Sequence, residues 1–96
     1  MKMFMVVYSE AADDYVLKKL KDTGLICYTK VDRAVGVGTE TEPKLKSHTW
    51  PGQNNLMFMC VEDSDAPKAL AMFAELKKEH PRAGVKTFVM PVEEVM

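Results

Sequence analysis

The side chains best suited to chemistry in this sequence are His48, Trp50, Arg33, Lys86 and the two cysteines, Cys27 and Cys60. His48 and Trp50 stand close together in Ser47-His48-Thr49-Trp50-Pro51-Gly52-Gln53-Asn54. An imidazole beside a large aromatic ring on a loop can contact a ligand or coordinate a metal ion, because imidazole titrates near neutrality and binds metals through either nitrogen. The same residues have a structural reading. Trp50 would pack the loop down, Pro51 and Gly52 would turn the chain, and His48 would hydrogen-bond the backbone. Arg33 and Lys86 can meet an anion, and serve equally well as solvated surface cations. His80, next to Pro81, reads as a partner for a helix dipole.

Other chemistries lack their residues. A zinc site needs three or four Cys, His or carboxylate ligands at workable spacing, and the two Cys and two His here are scattered. There is no Cys-x-x-Cys, no phosphate-binding Gly-x-x-x-x-Gly-Lys and no Gly-x-Gly-x-x-Gly; Gly36-x-Gly38 alone is too short to count. Ser47 adjoins His48, but adjacency in sequence is not triad geometry. Most of the eight methionines fall in strand-like or helix-stripe positions, where they read as core. No pair of titratable groups has an evident acid/base arrangement, so a catalyst is not expected. Cys27 and Cys60 lie in apolar contexts and are expected to be reduced and buried, which points to the cytoplasm. The net charge of −1 gives no overall field that would draw nucleic acid, and no apolar run is long enough to insert into a membrane.

The elements that must hold these residues read as follows. With 96 residues, 47% hydrophobic and 28% charged, the chain reads as one globular domain, residues 1–96. Lys2 to Tyr8 is a strand. Ser9 can cap a helix with Glu10, Asp13 and Asp14 at its start, Val16, Leu17 and Leu20 as its stripe, and Gly24 as its stop. A second strand spans Leu25 to about Val37. Residues 39–53 carry two prolines, alternating charge and no period, and form a long loop. Hairpin loops usually have about two to five residues, so this one is expected either to have a function or to be disordered. Asn54 to Val61 is the third strand. Glu62 onward opens a second helix with Pro67 in its first turn, and Ala69, Met72, Phe73 and Leu76 sit at helical spacing. Val85 to Met90 is the fourth strand. The predicted fold is α+β: a ferredoxin-like β-α-β-β-α-β unit, four antiparallel strands with both helices on one face.

The strands do not alternate apolar with polar. Met3, Met5 and Val7 oppose Phe4, Val6 and Tyr8; Leu56, Phe58 and Cys60 oppose Met57, Met59 and Val61. Two helices cover one face only. The other would be an apolar patch larger than soluble monomers tolerate, so a symmetric homo-oligomer is expected.

In its order and loop placement nearly the whole chain resembles the PII-like superfamily, which includes PII nitrogen regulators and CutA-type proteins. The likeness rests on Gly36-Val37-Gly38, the extended loop from Thr39, the Ser47–Asn54 segment entering the third strand, and Gly84-Val85-Lys86-Thr87-Phe88-Val89. The His-x-Trp-Pro-Gly-x-Asn run resembles one small PII-like branch more closely than the PII regulators themselves. The resemblance implies a homotrimer with its sheets facing the centre. It also implies clefts between subunits that bind small effectors such as adenine nucleotides, and a long loop that contacts target proteins, often membrane transporters. Gly36, Gly38 and Lys86 occupy places corresponding to those clefts, with His48 and Trp50 further along the loop. The turn His80-Pro81-Arg82-Ala83-Gly84 is shorter and poorer in glycine than the phosphate turn of PII regulators, and the loop has no tyrosine of the kind some of them modify. The CutA branch implies heavy-metal binding instead, with His48 as the imidazole donor. A third alternative is a small dimeric ferredoxin-like enzyme.

Overall fold

The computed structural model describes residues 1–36 and 53–96. The elements are β1 (Lys2–Ser9), a short 3-10 turn (Glu10–Ala12), α1 (Asp13–Thr23), β2 (Thr29–Val35), β3 (Gln53–Val61), α2 (Ala66–Glu79), a second 3-10 turn (Pro81–Ala83) and β4 (Lys86–Pro91). The four strands form one sheet in the order β2-β3-β1-β4, with every neighbouring pair antiparallel. This is the expected β-α-β-β-α-β fold. The expected loop lies outside the described residues, apart from Gln53, which opens β3.

Alternation along the strands sorts the two faces. Phe4, Val6 and Tyr8 of β1 and Met57 and Met59 of β3 are buried beneath the helices. Val16 and Leu20 of α1 and Ala69, Met72, Phe73 and Leu76 of α2 meet them in one core. The rings of Phe4 and Phe73 stack with centroids 6.1 Å apart. Each such large apolar side chain, once buried, contributes about 1.5–3 kcal/mol relative to exposure. Lys19 bridges from α1 to Glu75 and Glu79 of α2, at 2.6 and 3.2 Å, on the exposed side of the helix pair.

Three boundaries differ from the sequence reading, each for a local reason. Ser9 stays extended as the last residue of β1, and its side chain caps nothing; the chain turns through Glu10–Ala12 before α1 begins at Asp13. Gly24 stops α1 as expected, with φ 81° in the left-handed region. β2 then starts only at Thr29, because Leu25 to Tyr28 serve as a lead-in in which Leu25 is the buried anchor. Further along β2 the register with β3 slips between Val31 and Ala34, and Arg33 takes φ 63°. Such an irregularity needs one residue in an unusual conformation.

The opposite face of the sheet carries Phe88, Met5, Phe58 and Thr29 as one cross-strand row. Val31 and Phe88 on this face are 47% and 44% exposed. The cysteines overturn the expectation of burial: both are free thiols at exposed positions. The reason is that Cys60 falls on this uncovered face, while Cys27 lies in the lead-in before β2.

Candidate functional site at one end of the sheet

β1 ends, β2 ends, β3 begins and β4 begins at the same end of the sheet, because all neighbours are antiparallel. The start of α1 and the end of α2 complete this end. Its centre is a polar cluster under the helices. Tyr8 donates its hydroxyl to Asp13 Oδ1 at 2.6 Å, and Asn55 Nδ2 donates to the same oxygen at 3.0 Å. Lys30 Nζ reaches Asp13 Oδ2 at 2.9 Å and Asp32 at 3.5 Å. Asn55 is 1% exposed, and its side-chain oxygen has no hydrogen-bond partner among the described residues.

These contacts shift the groups together. Burial alone works to raise the Asp13 carboxyl, but hydrogen bonds from Tyr8, Lys30 and Asn55 outweigh it and hold the group below the usual carboxylate range. The Tyr8 phenol is pushed well above its ordinary value, first by burial and then by its bond to Asp13 and that group's negative charge. Its bond to Asp13 raises Lys30. Asp13 is therefore a fixed anion with donors on both oxygens. That arrangement ties β1, β2, β3 and α1 together.

Beside the cluster a cleft of about 480 Å³ opens between the start of α1 and the turn after α2, lined by Ser9, Ala11, Ala12, Tyr15 and residues 79–83. Tyr15 and His80 stack across it, with centroids 4.1 Å apart and planes 23° from parallel. His80 thus does more than was expected of it. It closes α2 through its backbone N–H to Leu76 and also supplies an aromatic wall. Arg82 adds a cation to the lining.

Of the residues singled out from sequence, Gly38, His48 and Trp50 lie outside the described residues. Gly36 and Lys86 are described and exposed. Gly36 follows Val35, which pairs with Gln53 at the start of β3; Lys86 pairs with Val7. Both thus belong to the same end of the sheet, but on opposite edge strands. Three inter-strand steps separate those edges, about 14 Å. A small ion cannot bridge that span. A Cβ built on Gly36 would meet nothing within 4 Å, and its φ lies outside the left-handed region.

Sequence reasoning missed the cluster and the stack. Asn55 gave one signal, an amide on the same strand face as Met57, Met59 and Val61. Tyr15 and His80 gave none, since only the closed fold brings them together. Among the described residues no group of three or more His, Cys, Asp or Glu side chains could hold a metal ion, and no helix is long and apolar enough to cross a membrane.

The split β-α-β sheet with an uncovered apolar face defines a ferredoxin-like domain of the PII kind. The family model for nitrogen regulatory protein P-II matches residues 1–96, and the chain belongs to that family. Among solved structures it is similar to a nitrogen regulatory PII-like protein from Thiomonas intermedia K12, bound to ADP, AMP and bicarbonate. The identity is 15% and the TM-score 0.72, over 95% of this chain and 88% of that one. It is also similar to a PII-like signalling protein from Thermus thermophilus, with 25% identity and a TM-score of 0.65, over 95% of this chain and 85% of that one. None of the curated proteins matches the chain in sequence.

Proposed function

We propose that this chain is a cytoplasmic homotrimeric signalling protein that binds an adenine nucleotide at its subunit boundaries. The segment 39–52, which the sequence reading expects to be a loop, then presents the bound state to a target protein, such as a membrane transporter. The observation that carries this reading is the placement of Gly36 and Lys86 at one end of the sheet on opposite edges. A site using both requires either a ligand of nucleotide length or a neighbouring copy. The uncovered face supplies the reason for such a copy, since Met5, Phe58 and Phe88 would be buried by it. Gly36 has open space around it and no strained backbone, which suits close approach by a ligand. Arg82 and Lys86 supply positive charge for phosphates. In support, the Thiomonas relative binds ADP and AMP.

The metal-binding alternative rests on His48, a residue outside those described, and no observation favours it. For the enzyme alternative, the described residues show no acid/base pair arranged around a substrate site. Calorimetric titration with ADP, AMP, ATP, bicarbonate and divalent metal ions, each alone, tests the proposal. Micromolar or tighter binding of an adenine nucleotide is the expected result. Binding of a metal ion with no response to any nucleotide overturns it.

A further inference from the structure

At the opposite end of the sheet the β2–β3 ladder carries a feature that the nucleotide reading does not use. Thr29 pairs with Phe58, Lys30 with Met57 and Val31 with Leu56. Continued two residues past Thr29, that register sets Cys27 opposite Cys60. Residues two apart on a strand share a face, so Cys60 goes with Phe58 on the uncovered side, and Cys27 lies in the lead-in two residues before Thr29. Independently of register, Cys27 and Cys60 line one cleft of about 210 Å³ together with Gly24, Ile26, Glu62 and Asp65. Both thiols are free and exposed.

We propose that Cys27 and Cys60 are a cross-strand dithiol that closes to an intramolecular disulfide when it meets a small-molecule disulfide such as oxidised glutathione. The ladder is paired only as far as Thr29 opposite Phe58; zipping it on by two residues sets Cys27 opposite Cys60, where directly opposed residues have Cα atoms about 4.5–5.5 Å apart. Disulfides span about 4.4–6.8 Å, so closure needs little backbone movement. In the first step one cysteine thiolate attacks a glutathione sulfur; a mixed disulfide forms and one glutathione thiolate leaves. In the second, the other cysteine thiolate attacks the protein-side sulfur of that mixed disulfide. The Cys27–Cys60 bond forms and the second glutathione leaves. The two thiol protons pass through solvent to the two departing thiolates, so one glutathione disulfide is reduced as the protein dithiol is oxidised. The bond pins the lead-in of β2 to the end of β3 and closes a covalent loop around residues 28–59.

The intact native protein is treated with oxidised glutathione, quenched by alkylation and weighed by mass spectrometry. The expected product is a single chain lighter by two hydrogens, exceeding the glutathione adduct by at least about tenfold, because the second thiol acts at high effective concentration. A peptide joining Cys27 to Cys60 should appear, and the melting temperature should rise by about 10 °C or more. Cys27→Ser and Cys60→Ser, both at exposed positions, should fold normally and instead accumulate the glutathione adduct. Double glutathione adducts on the parent, disulfide-linked pairs of chains, or thiols that stay unreacted would each overturn the proposal.

Discussion

Tyr8 and Asp13 stand only five residues apart, yet the 2.6 Å bond between them spans the junction where the central strand becomes the first helix. The chain reverses through Glu10–Ala12 so that the first residue of α1 sits over the last inward-facing residue of β1. Lys30 and Asn55 then bring β2 and β3 to the same carboxylate.

Tyr8→Phe removes one donor to a charged acceptor while keeping the buried ring. A loss of about 1.5–3 kcal/mol is expected, the range for hydrogen bonds to charged groups. Urea unfolding of parent and variant measures it. A change below about 0.5 kcal/mol would mean that Lys30 and Asn55 alone satisfy Asp13.

The same groups set a pH dependence with two limbs. Asp13 titrates lower in the folded protein than unfolded, so its contribution is present above the unfolded value near 4 and is lost as pH falls through the lower folded value. Tyr8 titrates higher when folded, so its contribution is full below the unfolded value near 10 and declines as pH rises above it. Melting temperature should therefore be flat between roughly pH 5 and 9 and fall on either side. In Tyr8→Phe both limbs should shrink, and the acid limb should end at a higher pH, because Asp13 loses one of the donors that lower it in the fold.

Arg33→Gly should not weaken the protein, although glycine in a strand ordinarily does. At φ 63° an L-residue carries strain of about 1–2 kcal/mol, which glycine avoids, set against about 0.5–1 kcal/mol of added chain entropy on unfolding. The expected net change is a gain of up to about 1 kcal/mol by denaturant unfolding. A loss of that size would assign the Arg33 side chain a structural contact.

Phe88→Glu places a charge in the middle of the uncovered face. If that face is where copies meet, light scattering should show a trimeric mass for the parent and a monomeric one for the variant. A parent that is monomeric at micromolar concentration removes this interface. A stable dimer keeps the buried face and replaces the stoichiometry.

Gly36→Val and Lys86→Ala probe the two edges of the proposed nucleotide site. Each should weaken ADP binding by about tenfold or more, in line with the loss of a charge-assisted contact or of close approach. Circular dichroism should show an unchanged fold, because both positions are exposed. Full affinity in both variants would move the site elsewhere.

The architecture was readable because period and punctuation agreed. Ala69, Met72, Phe73 and Leu76 mark α2, Gly24 ends α1, and the two-sided apolar strands announce the uncovered face. The start of β2 was not readable: Leu25 to Tyr28 have β-forming side chains, and pairing with β3 decides which of them join the ladder. The exposed cysteines were missed for a related reason, since an apolar neighbourhood in sequence does not reveal which face the helices cover. At the candidate site Gly36 and Lys86 could be named from the resemblance, but their places on opposite edges follow only from the strand order. Tyr15 and His80 meet solely through tertiary packing.

The strand order also bears on how the protein reaches its folded state. β1 has β3 and β4 as its strand neighbours, so Met3 finds its two ladder partners at Cys60 and Met90. Pairings this distant in sequence make for slow folding, because the chain must close large loops before any contact stabilises them. On the ribosome the most apolar of the described strands waits with both edges bare until β3 has been made, and with one edge bare until β4 follows. During that interval Met3 to Val7 form a template for misassociation. Changes that shield this segment in the nascent chain should raise the yield of folded protein more than changes that tighten the finished core.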